Sequence, residues 1–408
     1  MNNGVICGLH FATGEAVEIR WANGLIQSVT AAKPDPASDV WIAPALVDLQ
    51  INGYGGVDFQ QDTLSAAELL TAVHHLNIAG CTRFLLTLIT DDWTRLISRL
   101  RHLRQLRDAT PALRHAIAGW HVEGPFLSAE PGFCGAHDPA LMMDPTPANL
   151  RELRDATGND PLLLTLAPER RNALDAIEHA VGLGIKVSLG HTNASAAILA
   201  EAVRRGATAF THLGNAIPRD LDRHDNILWR VFETPGLVAS LIPDTTHVSP
   251  ALFRLVHRVL ESDSIYYTTD AMSAAGMEPG RYPLGQLNLE VGPDQIVRHP
   301  GKPNFAGSAL RPIEGVFRAA KMLDRSWQKV WPRLSEIPAK LMGLPAGLRV
   351  GAPADLCLLQ LAEGNELKKL RVIAQGTEDR NQMTPDSCLS TLNAQPALYS
   401  RCQSGLLS

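Results

Sequence analysis

The chain has 408 residues, 45% hydrophobic and 19% charged, with a formal net charge of -5. That is a globular composition, long enough for one large domain and a smaller one. A mildly acidic chain without a basic run points away from nucleic acid and membrane surfaces, and no stretch reaches the roughly 18 apolar residues of a membrane span.

The first residues, MNNGVICGLH, do not read as a signal peptide. The six cysteines are scattered without a CxxC pair, which points to reduced thiols in a cytoplasm rather than a disulfide framework or a cysteine zinc site. Residues 4–9, 16–21 and 25–30 read as short strands, with a turn at Asn23–Gly24 and a Pro-rich linker at 33–36. Residues 354–359 and 370–374 are strand-like again, so the two ends are expected to pair into one small β domain.

Between the ends the pattern is regular. Apolar runs fall at 45–51, 82–88, 116–120, 162–167, 185–189, 208–211, 238–242 and 264–268. Helical periodicity fills most intervals, as at 64–78, 93–106, 173–183 and 250–260. Near-continuous apolar strands imply a parallel sheet covered on both faces. Eight such units over about 300 residues suggest an α/β fold of the (β/α)8 barrel type. A doubly wound open sheet is the alternative, weakened by the lack of a GxGxxG after the first strand. The expected division is a small β-sandwich domain from 1–44 and 345–377, a barrel over 45–344, and a tail over 378–408 without assigned structure.

In such a barrel, chemistry sits at the C-terminal ends of the strands. Those ends carry Gln50 and Asn52, then Glu123, Glu169, His191, His212, His247 and Asp270. His121 and Glu123 are two apart, so on a strand they share a face, just before a turn at Gly124–Pro125. One carboxylate and two imidazoles would suit a metal, with one carboxylate left for proton transfer. Other histidines look bland. His74 and His75 sit in a helix pointing different ways, and His102, His115, His179, His257 and His299 lack supporting context. The basic stretch RLRHLRQLR (99–107) has leucines at helical spacing and reads as an amphipathic helix of the barrel shell.

The motifs PALVDLQINGYGGVDF (44–59), WHVEGPFLS (120–128), GAH (135–137), LAPE (166–169), SLGHTNAS (188–195), THLGNAIP (211–218), TTDAMSAAG (268–276) and FAGSAL (305–310) occur in order. Together they resemble the N-acetylglucosamine-6-phosphate deacetylase family of the amidohydrolase superfamily, over about residues 4–375. The resemblance implies a (β/α)8 barrel with a small β-sandwich, a homodimer or larger homo-oligomer, and an amino-sugar substrate. It places Glu123, His191 and His212 as metal ligands and Asp270 as the catalytic aspartate. It places His247 at the scissile carbonyl, His137 at the sugar, and Asn215, Ala216 and Arg223 at the substrate and its phosphate. One divalent cation per chain is expected, since Gln50 and Asn52 are weak donors suited, like His121, to supporting the ligands. Zinc fits this donor set best, and iron, cobalt or manganese are acceptable.

The chain departs from the family around the sugar. Gly214 stands where an aromatic residue is usual, Arg223 is followed by His224–Asp225–Asn226 instead of Glu-Pro-Gly, and Asp244 is followed by Thr245 instead of glycine. These changes bear on the phosphate and on which amino sugar is used. Two rival functions stay open. Another amidohydrolase, acting on cyclic amides or N-acyl amino acids, would commonly carry His-x-His where Gln50–Ile51–Asn52 stands. A sugar-binding pseudoenzyme would have lost part of the metal and acid set.

Overall fold

The computed structural model describes residues 2–33, 39–300 and 305–378. Eight parallel strands form one sheet, running in spatial order from Leu46–Ile51 through Cys81–Ile89, Ile117–Glu123, Leu162–Leu166, Lys186–Leu189, Ala209–Phe210 and Val238–Leu241 to Ile265–Tyr267. Sequence order and spatial order coincide, as repeated βα units require. The expected eight runs are the eight strands, with ends shifted by a few residues. The largest shift is at the third strand. Its predicted first residue, Ala116, closes a short helix, Pro111–Ala116, and the strand extends to Glu123.

The strands are almost entirely buried, completely so at Leu46–Ile51, because helices cover the outer face. Local chemistry sets those helices. Ala66–Ile78 starts at Ser65, whose hydroxyl accepts from the Glu68 N–H while the Glu68 carboxylate accepts from the Ser65 N–H. Pro250–Val259 starts with Ser249 as cap and proline at its first position. Trp93–Ala109 buries Leu96, Ile97, Leu100 and Leu103 against the barrel, as its leucine spacing predicts. Two of its arginines are buried as well. Arg99 reaches Asp62 and Asp91, and Arg107 reaches Asp160 and the Ile117 carbonyl.

The first and eighth strands share no ladder among the described residues. One bridge, Ile51 to Ala271, joins them. Hydrogen bonds add to it: the Asn52 N–H donates to the Ala271 carbonyl at 2.7 Å, and beside it lies the buried Asp48 carboxylate. It accepts from the Thr269 N–H at 2.9 Å, the Thr269 hydroxyl at 2.6 Å and the Thr268 hydroxyl across the gap, and from the Gln50 N–H on its own strand. Four donors compensate for burying a carboxylate.

Both chain ends enter a second, separate sheet, as expected. Its order is Thr377–Glu378, Leu367–Ala374, Leu356–Leu361, Val40–Pro44, Gly4–His10, Ala16–Ala22 and Leu25–Ala31. It curls around a small core of Ile19, Ile26, Ile42, Leu356, Leu358 and Ile373. The Trp21 indole N–H donates to the Gly376 carbonyl at 3.0 Å, joining the two edges. The strand Val40–Pro44 was not expected. Beyond Glu378, the predicted tail lies outside the described residues, as does most of the linker at 33–36.

A third sheet was also unexpected: Gly280–Leu284, Leu287–Val291 and Val297–Arg298, all antiparallel. It follows the eighth barrel strand and packs Leu284, Leu289, Val291 and Val297 on Met272, Ala306 and Ala309. Its strands are short and one contains Pro283, so their alternation is too brief to register as a pattern. No helix of the described residues is long and apolar enough to cross a membrane.

Candidate metal centre and active site

The strand-end residues converge on one cavity of about 290 Å³, lined by Asn52, Glu123, His137, His191, His212, Asn215, Ala216, His247 and Asp270 among others. At its floor Glu123 Oε1 lies 2.8 Å from His212 Nε2 and 3.2 Å from His191 Nε2, and the two Nε2 atoms are 3.2 Å apart. All three side chains are buried. His191 Nδ1 donates to the Phe133 carbonyl at 3.0 Å, so its Nε2 presents a lone pair to the cluster in the neutral ring. Two imidazole nitrogens and a buried carboxylate oxygen, all within 4.8 Å of one another, form a donor set that could hold a metal ion. Burial alone would raise the Glu123 carboxyl, but the His191 and His212 imidazoles beside it outweigh that and hold the group well below its ordinary range.

Gln50 and Asn52 bind carboxylates through their amide N–H groups. Gln50 Nε2 donates to Glu123 Oε1 at 3.1 Å, and Asn52 Nδ2 donates to Asp270 Oδ1 at 2.7 Å. Burial first, and the Glu123 charge second, push Asp270 up to about 7. His121 lies below the cluster, 2.8 Å from the Thr165 hydroxyl, and burial lowers it to about 4, so the ring is neutral. His137 comes from the loop after the third strand. Its Nδ1 is 2.8 Å from the Thr90 hydroxyl and its Nε2 is 3.7 Å from Glu123 Oε2. Burial, then His191, lowers it to about 3.

His191, His212 and Asp270 each have a positive φ, at 51°, 33° and 52°. Each sits just past a strand end, where the backbone must leave the barrel wall while the side chain still points inward. Such conformations cost about 1–3 kcal/mol each and cluster at functional sites. Gly124 has the same handedness for a steric reason, since a Cβ there would lie 2.2 Å from the Thr90 hydroxyl.

His247 is organised by a residue not singled out for this part. Asp244 Oδ2 is 2.6 Å from His247 Nδ1, while Asp244 Oδ1 accepts from the Thr246 and His247 N–H groups at 2.9 and 2.8 Å. Burial opposes both charges, yet the pair holds the imidazole above its ordinary range and the carboxyl below. The available signal was the Asp-x-x-His spacing, read only as a departure from the family.

Two expected residues stand apart. Glu169, at the end of the fourth strand, accepts from the Thr192 hydroxyl and from the Asn193 N–H at 2.8 Å, so it braces the loop after His191 and is not in the cavity. Arg223 is exposed and is not among the lining residues, and its carbonyl accepts from the Trp229 indole at 3.2 Å. Asn215 and Ala216 do line the cavity, with Asn215 Nδ2 donating to the His212 carbonyl at 3.1 Å. The unexpected part of the wall is apolar: Ile89, Leu284, Leu287 and Phe305, the last with its ring 5.4 Å from that of His247.

No family model matches the chain. It is 34% identical over 334 residues to the N-acetylglucosamine-6-phosphate deacetylase of Danio rerio, covering 78% of this chain and 80% of that protein. With the N-acetylglucosamine-6-phosphate deacetylase of Bacillus subtilis it shares 29% over 352 residues, covering 83% and 87%. The solved N-acetyl-D-glucosamine-6-phosphate deacetylase of Mycobacterium smegmatis superposes with a TM-score of 0.81 at 29% identity, over 92% of this chain and 99% of that one. A mutant of that enzyme was solved in complex with N-acetyl-D-glucosamine-6-phosphate. With this level of identity across most of both chains, and the same architecture around its strand-end cluster, the chain belongs to the N-acetylglucosamine-6-phosphate deacetylase family of the amidohydrolase superfamily.

Proposed function

We propose that the chain hydrolyses the acetamide of N-acetylglucosamine 6-phosphate, releasing acetate and glucosamine 6-phosphate. The observation that carries this reading is the shared cavity, in which Glu123, His191 and His212 meet at the floor with Asp270 and His247 on the same wall. Glu123, His191 and His212 would hold one divalent cation, zinc by preference, with iron, cobalt and manganese acceptable to the same donors. When bound, such an ion lowers the pKa of water toward neutrality and polarises a carbonyl. Gln50, Asn52 and His121 would support the ligands from behind, Gln50 by donating to Glu123 and Asn52 by donating to Asp270.

Asp270 takes the proton of the attacking water and later gives it to the departing amine, its carboxylate held in place by the Asn52 amide. His247, whose imidazole Asp244 holds above its ordinary range, would donate to the oxygen of the acetyl carbonyl as negative charge develops there. His137, Asn215 and Ala216 face the sugar, and Arg223 on the exposed loop reaches toward the phosphate. In this reading residues 45–344 form the catalytic barrel, 1–44 with 345–377 form the small domain, and the protein works as a homodimer.

The test is acetate release from N-acetylglucosamine 6-phosphate by protein purified without added metal and then dialysed. Activity with close to one metal equivalent per chain is the expected result. Two equivalents, with activity proportional to the second, would overturn the single-ion site, and metal-loaded protein that releases no acetate would overturn the reaction.

A further inference from the structure

Of the strand-end acids Glu123, Glu169 and Asp270, the proposed chemistry uses the first and the last. Glu169 lies just past the fourth barrel strand, Leu162–Leu166, and its two carboxylate oxygens face the loop that leaves the fifth. Oε2 accepts from the Thr192 hydroxyl, and Oε1 accepts from the Asn193 N–H at 2.8 Å. These two residues directly follow His191. Thr192 is buried, and its hydroxyl also accepts from the Ala194 N–H at 3.0 Å, so the turn closes on itself. Asn193 spends its other polar groups on neighbours. Its Nδ2 donates to Glu130 Oε2 at 3.2 Å, while its Oδ1 and its carbonyl accept from Arg230 at 3.1 and 3.2 Å.

His191 needs such a bracket. Its φ of 51° persists in a residue with a side chain only where the surroundings fix it. Two contacts hold the residue itself. Its Nδ1 donates to the Phe133 carbonyl and its own carbonyl accepts from the Ser128 N–H, both at 3.0 Å. Both partners belong to the loop after the third strand, so they grip His191 from one side. Glu169 grips the chain on its way out. Without that acceptor the Thr192 hydroxyl is a buried donor short of a partner, and the backbone is free to relax toward negative φ. The imidazole would move with it, away from its place 3.2 Å from Glu123 Oε1 and from His212 Nε2. Metal ligands must sit within about 0.2 Å of their proper distances.

Resting on the metal-ligand reading above, we infer that Glu169 is a positioning residue for the metal centre. Through Thr192 and Asn193 it holds His191 in the left-handed conformation that aims Nε2 at the cluster, and so sets how tightly an ion is kept. Its own side chain stays outside the cavity. Groups that orient a ligand from behind are worth about 10–100-fold in metal affinity.

The experiment measures zinc affinity of the full-length protein by competition with a chelator, with no substrate present. The wild type is compared with Glu169→Ala, Glu169→Gln and Thr192→Val. Glu169→Ala should bind zinc about 10–100-fold more weakly, with its circular dichroism unchanged, and Thr192→Val should show part of that loss. Combining the two substitutions should cost less than the product of their separate effects, because they remove a shared contact. Glu169→Gln should stay near the wild type, since its amide oxygen still accepts from Asn193 and its N–H donates to the Thr192 hydroxyl. Cobalt-loaded protein gives a signature that general loosening would not move. Its visible absorption should change in Glu169→Ala and be restored in Glu169→Gln. Wild-type zinc affinity and an unaltered cobalt spectrum in Glu169→Ala would overturn the positioning role and leave the metal centre standing. If Glu169→Ala does not fold, wild-type affinity in Thr192→Val has the same force. Wild-type protein that takes up no metal overturns the centre and this inference together.

Discussion

The floor and the rim of the cavity are built on opposite terms. At the floor every charged group is buried and answered: Glu123 by two imidazoles and an amide, Asp270 by Asn52, His247 by Asp244. Toward the rim the wall turns apolar, and Arg219 and Arg223 follow it on a stretch that is exposed in the single chain. Barrel strands deliver the floor, so its geometry is inherited from the most rigid part of the fold. Loops and a late hairpin deliver the rim, where change is structurally cheap. The proposed chemistry thus rests on residues at the strand ends, and the apolar wall above it on loops and the hairpin.

That contrast can be broken or sharpened by substitution. Asp270→Asn keeps the volume but cannot accept a proton. Turnover should fall by at least about 10²-fold, with folding and metal content retained. Near-normal turnover would remove Asp270 from the floor's chemistry. Asp244→Asn should come next. It takes away the charge that holds His247 above its ordinary range, so kcat should fall by about 10–10²-fold while KM changes less. An effect on KM alone would make the Asp244–His247 pair a binding device.

Asn52→Leu should act through pH. The Asn52 amide favours the ionised form of Asp270, so its removal raises that carboxyl. A general base must be ionised, and the acid limb of kcat/KM therefore moves to higher pH. Near neutral pH the loss should be under about tenfold, and it should be recovered as the pH rises. An unmoved limb would detach Asn52 from Asp270. The smallest effect belongs to the rim. Phe305 is 39% exposed beside His247, and Phe305→Ala should raise KM about fivefold, the scale of a partly exposed apolar contact of roughly 1 kcal/mol. A large fall in kcat would place Phe305 with the floor.

How much of this could be read beforehand follows the same division. The apolar runs marked all eight barrel strands, because a strand covered on both faces must be apolar along its length. His-x-Glu at 121–123 and the histidines at 191 and 212 were visible because strand ends recur at regular intervals. Asp48 was not visible. A buried carboxylate two residues before Gln50 looks like any polar residue on a strand, and its donors, Thr268 and Thr269, are 220 and 221 residues away. Asp244 was passed over because its pairing with His247 depends on a loop conformation, with Thr245 at φ 71°, that spacing does not encode. Arg99 and Arg107 read as part of a basic face, and only the acids brought beside them by other segments allow their burial. Glu169 had the right position in the chain, but its side chain turns toward Thr192 and Asn193.

The stitched gap between the first and eighth barrel strands has a consequence for how the molecule breathes. Gln50 and Asn52 stand on one bank of that gap and Asp270 on the other, so opening it would draw the proton-transfer group away from the cluster around Glu123. A continuous ladder resists opening rung by rung, whereas this gap is held by one bridge, two hydrogen bonds from Asn52 and the Asp48 carboxylate. Amide hydrogen exchange should therefore be fastest, within the barrel, along Leu46–Ile51 and Ile265–Tyr267. A barrel of this kind has a zip, and here its slider is Asp48, placed directly beneath the chemistry.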